Sequence, residues 1–113
     1  MDYQIKLLLL HNAQYVISQI RHRYDKDNQL ESVELRKPMV LRLSNDSVIT
    51  FHDMAPLAIN ETIFVSPSFV CSYLEPVESV LVEYSRLLNI DPPKRDDAKT
   101  KLRDAFEDFL KDI

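Results

Sequence analysis

The feature that most constrains this chain is the absence of glycine from all 113 residues. Average usage would give about eight glycines, and glycine is the residue that adopts a positive φ most easily. Tight turns must then be built from Asn or Asp, which tolerate that conformation best among the other residues. Turns of this kind are predicted at His11-Asn12-Ala13, Asp27-Asn28, Asn45-Asp46 and Asn60-Glu61.

Short runs of alternating apolar residues lie between these turns across residues 3–75. In the run that follows Asn12, Tyr15 and Ile17 share one face, and Val16 and Ile20 share the other. Lys37-Pro38 is expected to interrupt a later strand, because proline has no N–H to donate to a neighbouring strand. Short strands at this spacing predict a mainly β domain over residues 1–75, built as a small antiparallel barrel or sandwich.

The spacing becomes helical after Glu75, so residues 76–113 are predicted to form a C-terminal extension of two amphipathic α-helices. The first stripe is Val77, Val80, Leu81, Tyr84, Leu87 and Leu88. The second is Ala98, Leu102, Ala105, Phe106, Phe109 and Ile113. Pro92-Pro93 separates the two helices and leaves open whether the last one docks on the β domain or projects outward.

The C-terminal sequence "AFEDFLKDI" is the main candidate for contact with another protein. Phe106, Phe109, Leu110 and Ile113 are apolar and alternate with acidic residues, as in short helices that bind a groove on a partner. The competing interpretation is a helix that packs on its own β domain or on a second copy of the chain.

Charge and cysteine content limit the function further. The net charge of −4 lacks the strongly basic signature of a dedicated nucleic-acid binder. No N-terminal signal pattern is present and "IKLLLL" is too short to span a bilayer, so a cytoplasmic location is expected. The single Cys71 lies in an apolar strand-like run, which predicts a buried small hydrophobic side chain.

Catalytic and metal-binding patterns have little support in the sequence. His11, His22 and His52 occur singly, without the spacing of metal ligands. A phosphate-binding loop or a nucleophile elbow would require glycine. We therefore expect a protein that is not an enzyme and needs no cofactor.

The stretch "YDKDNQLESVEL" at residues 24–35 admits more than one interpretation. Asp25, Asp27 and Gln29 have the spacing of calcium ligands, but Leu30 and Arg36 stand where such a loop needs Gly and Glu. A hairpin turn fits better, because Asp and Asn side chains bond to nearby backbone.

A family resemblance offers a third interpretation of the same stretch. Residues 3–35 resemble the first motif of Sm-like (LSm) proteins, with Tyr24-Asp25 matching the aromatic-Asp pair and Asn28 the loop asparagine, one residue earlier than usual. "FVSPSFVCSYLEP" is similar to the second motif, but Ser66-Pro67 replaces the Arg-Gly of the family. The chain is also similar to small Sm-like proteins of tailed bacteriophages.

The resemblance implies a small five-stranded, strongly bent open barrel that joins its neighbours into a ring, and hence a homo-oligomer. It also implies single-stranded RNA as a ligand near Asn28, and Arg21, Arg23 and Tyr24 supply cationic and aromatic groups nearby. The alternative for the arginines is the solvated side of a sheet, paired with Glu31 and Glu34.

Two functions follow from these expectations. The leading hypothesis is a non-enzymatic oligomeric scaffold or adaptor with an Sm-like fold, which contacts a partner protein through its C-terminal helices. It rests on the missing Arg-Gly pair and the added helices. The alternative is a single-stranded RNA-binding Sm-like ring.

Overall fold

The computed structural model describes residues 3–91, which form six β-strands, a short 3-10 helix and an α-helix. The strands are β1 (Gln4–Leu10), β2 (Tyr15–Tyr24), β3 (Leu30–Leu43), β4 (Ile49–Asp53), β5 (Thr62–Val65) and β6 (Val70–Leu74). The 3-10 helix is Pro67–Phe69 and the α-helix, α1, is Glu78–Leu88. The mainly β class and the first predicted helix are confirmed, whereas the second predicted helix lies outside the described residues.

The strand number is six, so the expectation of five strands was wrong. All pairs are antiparallel, in the order β4-β3-β2-β1-β6, and β5 also pairs with β3. β3 is long enough to pair with β5 through residues 33–36 and with β4 through residues 39–43. β4 and β5 therefore occupy the place of one edge strand, and the loop over residues 54–61 interrupts it.

The sheet is strongly bent, as the contact between His22 on β2 and Tyr73 on β6 shows. Tyr73 pairs with Leu8, which pairs with Val16, six residues before His22. In a flat sheet this offset would separate His22 from Tyr73 by about 20 Å. Their ring centroids are only 5.3 Å apart. The sheet nevertheless remains open, because β5 and β6 do not pair with each other.

Both faces of the sheet carry an apolar core. The inner cluster comprises Leu8, Leu10, Val16, Ile20, Val33, Leu35, Val40 and Val70. On the outer face, Ile17 packs with Val80 and Tyr84 of α1. Val16 and Ile20 of β2 therefore lie on the inner face and Ile17 lies on the outer face, as the alternation of the sequence predicted.

The predicted break at Lys37-Pro38 was wrong, because β3 runs through both residues. The register between β2 and β3 shifts at this point, so that Lys37 and Pro38 lie opposite the single residue Ser18. Lys37 adopts a positive φ of 52°. This β-bulge accommodates a residue without an N–H donor, and it lets the strand bend instead of ending.

Asparagine occupies only some of the turn positions that have a positive φ. Asn28 has a φ of 59°, as expected, and Asn89 ends α1 with a φ of 58°. In two other predicted turns the positive φ falls on Ala13 and Ser47. The side chain of Asn12 instead accepts a hydrogen bond from the backbone N–H two residues later, at 3.1 Å. This bond stabilises the turn without a positive φ at the asparagine itself.

Cys71 is exposed, so its predicted burial was wrong. The residue lies on β6, which ends the sheet beyond β1. Its neighbour Val70 takes the inward position and joins the inner cluster. Because successive side chains of a strand point to opposite faces, Cys71 points outward.

Candidate functional site

The structure brings together the four residues that the sequence analysis selected for RNA binding. An open depression of about 500 Å³ is lined by Arg21, His22, Arg23, Tyr24, Asp25 and Asn28. It lies where β2 ends and the turn before β3 begins.

The side chain of Asp25 organises this turn. Its Oδ1 atom accepts hydrogen bonds from the backbone N–H groups of Asp27, at 2.8 Å, and of Gln29, at 2.9 Å. The N–H of Asn28 donates to the carbonyl oxygen of Asp25 at 3.1 Å. The predicted hairpin turn is thus confirmed. Within residues 3–91, no group of three or more His, Cys, Asp or Glu side chains is placed to hold a metal ion.

Arg21 forms the tightest ion pair of the depression, with Glu34. The Arg21 Nε atom lies 2.7 Å from Glu34 Oε2, and the Glu34 residue is only 5% exposed. This hydrogen bond from Arg21 holds the pKa of the Glu34 carboxyl below its ordinary value. The Arg21 guanidinium also lies 4.6 Å from the ring centroid of Tyr3. Arg21 therefore pairs with Glu34, one of the two acids that the alternative interpretation named, but the acid is buried and not solvated.

Arg23, Tyr24 and Asn28 are the accessible members of the set. The Arg23 side chain is 51% exposed, and its Nη1 atom lies 3.9 Å from Glu34 Oε1. Tyr24 is 55% exposed, and Asn28 is also exposed. These groups supply one cation, one aromatic ring and one amide on an open surface. Such groups can stack on a planar base and contact a phosphate.

The charges around the depression are balanced. The two arginines stand against the carboxylates of Asp25 and Glu34, of which Glu34 contacts both guanidinium groups. A polyanion gains affinity mainly where cations are in excess, because bound phosphates then release counterions. The depression therefore has suitable groups for a nucleobase but a weak electrostatic attraction for RNA.

The segment that resembles the second Sm-like motif contributes hydroxyl groups in place of a cation. The Ser66 and Ser68 Oγ atoms are 2.9 Å apart, and Pro67 begins the 3-10 helix. The backbone N–H of His11 donates to the carbonyl oxygen of Phe69 at 2.9 Å, which ties this segment to the β1–β2 turn.

Sequence reasoning missed the aromatic pair of His22 and Tyr73. Tyr73 is 41% exposed, and the partial desolvation of its hydroxyl raises the pKa of that group. The two residues are far apart in the sequence, and only the bend of β2 brings them together. The alternation of β2 was an available signal, since it places His22 on the same face as Val16 and Ile20.

The sheet edges form a second candidate surface. Among the described residues, β5 pairs only with β3, and β6 pairs only with β1. Each strand therefore presents one side without a neighbouring strand. Phe64 on β5 is 57% exposed, and Cys71 on β6 is exposed as well. Open strand edges of this kind are templates for pairing with another strand.

The inner face of α1 packs against the sheet, and its residues Val80, Leu81 and Tyr84 are buried. Val82 and Leu87 of the helix are partly exposed, as is Val77 just before it. The predicted partner-binding residues of the C-terminal segment, Phe106, Phe109, Leu110 and Ile113, lie outside the described residues.

The sequence was compared with protein-family models and with curated proteins. No protein-family model matches the chain, and no curated protein matches it. In the part of the chain that the structure describes, no helix has the length and apolar character needed to cross a membrane.

Proposed function

We propose that this chain is a non-enzymatic scaffold or adaptor of Sm-like type, which assembles into homo-oligomers through its strand edges. The observation that carries this proposal is the pair of open edges on β5 and β6, at the two ends of a strongly bent sheet. Exposed edges are a liability unless they are protected or paired. Pairing with neighbouring copies would give the β5 edge and the β6 edge the strand partners that each lacks.

The strand arrangement supports the Sm-like part of the proposal. β4 and β5 follow one another along the same side of β3, where the resemblance implies a single edge strand. The sheet is bent and open, as expected for that family. The loop over residues 54–61 is then an insertion within a single edge strand.

The positions of the edges favour a head-to-tail assembly. β5 of one copy would pair with β6 of the next, so each interface uses two different surfaces. Interfaces of this type close into rings when the rotation between copies permits it. The 3-10 helix Pro67–Phe69 connects β5 to β6, and it would lie between two successive interfaces.

In this proposal, α1 on the outer face of the sheet provides the contact with a partner protein. α1 packs on the sheet, and its solvent-exposed surface carries the apolar side chains of Val82 and Leu87, each 43% exposed. In a ring, each copy would present this apolar surface, so the assembly would offer a repeated contact for a partner protein. A partner that binds several equivalent surfaces of one assembly at the same time gains overall affinity, even when each single contact is weak.

The proposal is tested by the molar mass of the full-length protein in solution, measured by light scattering over a range of concentrations. We expect a mass several times that of the 13.2 kDa chain. Phe64→Lys should lower this mass, because lysine on an edge strand opposes strand pairing. Leu57→Lys is the matched control, since Leu57 lies in the loop before β5 and is fully exposed.

A monomeric mass at tens of micromolar chain would contradict the proposal. An oligomer that Phe64→Lys leaves intact would show that the β5 edge is not an interface. Circular dichroism of each variant confirms that the β fold is retained.

RNA binding is the second candidate function, favoured by the convergence of Arg21, Arg23, Tyr24 and Asn28 on one depression. Fluorescence anisotropy of a labelled oligouridine, at two salt concentrations, tests it. Arg23→Ala and Asn28→Ala should weaken binding, and the arginine change should also flatten the salt dependence. Arg42→Ala, near the far end of β3, is the control. Absence of binding at tens of micromolar protein would exclude this function.

A further inference from the structure

An apolar strip on the outer face of the sheet is only partly covered by α1. We define it as Leu9, Tyr15, Leu41, Phe51, Leu43 and Ile49. Leu9 pairs with Tyr15, Tyr15 with Leu41, and Leu41 with Phe51. Leu43 pairs with Ile49 in the next position along β3 and β4. Directly paired residues of antiparallel strands point to the same side, so the strip is continuous across four strands.

The strip is the direct continuation of the core under α1. The adjacent row of the same face, Leu7, Ile17 and Met39, packs in the cluster with Val80 and Tyr84. Leu41 and Phe51 contact the edge of that cluster. Beyond them the cover ends: Leu43 is 70% exposed, Tyr15 44% and Ile49 39%.

We propose that residues 98–113 of the same chain cover this strip and form a second helix beside α1. The direction of α1 supports this assignment. The helix follows β6, at one end of the sheet, and the Tyr84 hydroxyl lies at the boundary of β2 and β3. Leu88 ends the helix and packs against the same cluster as Leu41 and Phe51. The chain therefore leaves α1 on the side of the sheet where Leu41 and Phe51 begin the strip.

The chain length beyond α1 fits this arrangement. Residues 90–97 are sufficient to reverse direction over the 8–10 Å that separates packed helices. The strip spans β1 to β4, which is about 14 Å at the usual strand spacing. A helix over residues 98–109 would be about 18 Å long. Leu102, Phe106 and Phe109 recur at helical spacing in this segment and supply an apolar face to meet the strip.

The occupant is the chain's own segment and not that of a neighbouring copy. A short linker holds a tethered segment at an effective concentration in the millimolar range, far above that of a second copy in dilute solution. Phe106 and Phe109 would then face the protein's own sheet, in place of the partner contact expected from the sequence. The partner surface of the proposed adaptor would be the outer side of a two-helix layer.

Thiol labelling of the full-length protein tests this inference. A Cys71→Ser background removes the exposed native thiol, and Leu43→Cys then introduces a single thiol in the strip. Leu57→Cys provides the matched exposed control, since Leu57 is 101% exposed. Rates are measured with 5,5′-dithiobis(2-nitrobenzoate) on dilute protein, and each is normalised to the rate for the same variant in urea.

We expect the thiol at position 43 to react about tenfold more slowly than that at position 57, as for a group covered roughly nine-tenths of the time. Phe106→Asp combined with Phe109→Asp should restore the rate at 43 and leave the rate at 57 unchanged. Equal rates at the two positions would overturn the inference, as would slow labelling that the double substitution does not change. Protection that is lost on dilution would assign the cover to a neighbouring copy and would also overturn it. These outcomes are independent of the mass measurement that tests assembly.

Discussion

The hydroxyl of Tyr84 donates a hydrogen bond of 2.8 Å to the carbonyl oxygen of Lys37, which lies in the bulge of β3. The same hydroxyl oxygen accepts a hydrogen bond of 3.2 Å from the backbone N–H of Gln19 on β2. The register shift between β2 and β3 takes these backbone groups out of the regular ladder. A helix side chain therefore completes the hydrogen bonding of the strand bend, and it couples the position of α1 to the curvature of the sheet.

Replacing Tyr84 by phenylalanine tests this coupling. The ring of Tyr84 is fully buried, and burial raises the pKa of its hydroxyl, so the group stays neutral and remains a donor at any physiological pH. Tyr84→Phe keeps the ring but leaves the backbone groups of Gln19 and Lys37 without this partner. We expect the free energy of unfolding to fall by about 1–3 kcal/mol, measured by urea denaturation.

Tyr24→Phe is the control for the loss of a phenol hydroxyl, because Tyr24 is 55% exposed and lies outside the apolar strip. Its effect should be within about 0.5 kcal/mol. Equal unfolding midpoints for Tyr84→Phe and the parent protein would show that the hydroxyl does not hold the bulge.

The ion pair of Glu34 and Arg21 makes stability depend on pH. The pKa of Glu34 is lower in the folded protein than its ordinary value of 4.5, chiefly because Arg21 donates a hydrogen bond to the carboxylate. A depressed pKa means that the stabilisation is complete above about pH 4.5 and is lost as the pH falls toward the folded pKa. Glu34→Gln should therefore remove part of the loss of stability on acidification.

Urea unfolding at a series of pH values from 6 down to 3 measures this effect. Glu83→Gln is the control, because the pKa of Glu83 is also lowered by a bonded arginine but that pair is exposed to solvent. A Glu34→Gln protein with the same pH dependence as the parent would contradict the assignment.

Ala13 occupies a backbone conformation that suits glycine. Its φ is 65°, in the left-handed region, where a Cβ atom is unfavourable. Ala13→Gly should therefore raise the free energy of unfolding by about 1 kcal/mol, even though it removes a side chain. Asn12→Gly is the matched control, because Asn12 has no positive φ and its side chain bonds to Gln14. Stabilisation by the control, or destabilisation by Ala13→Gly, would show that backbone strain does not govern this turn.

Local pattern was sufficient to predict the β class, most strand positions and the first helix. Alternation along β2 assigned the faces of Val16, Ile17 and Ile20, because side-chain direction in a strand depends only on sequence parity. The alternative interpretation of the arginines named Glu34 as a partner, and the structure joins Arg21 to Glu34 at 2.7 Å. The turn at Asp25 followed from side chains that bond to their own backbone.

The failures arise where a long-range contact overrides local chemistry. Pro38 lacks an N–H donor, and the break predicted there was wrong because the bulge opposite Ser18 absorbs the defect. Cys71 lies in an apolar run, but Val70 takes the inward position on this edge strand and Cys71 points outward, where the described residues do not cover it. Tyr73 reaches His22 only because β2 bends. None of these relationships is encoded within a short window of sequence.

The most direct test of the proposed head-to-tail assembly is a mixing experiment with two edge variants. Phe64→Lys blocks the β5 edge and leaves β6 intact, whereas Cys71→Lys blocks the β6 edge and leaves β5 intact. Light scattering of each variant alone should give a mass close to that of the 13.2 kDa chain. An equimolar mixture should give about twice that mass, because one intact β5 edge can pair with one intact β6 edge. A mixture that stays monomeric, or single variants that still form the parent oligomer, would contradict assembly through these edges.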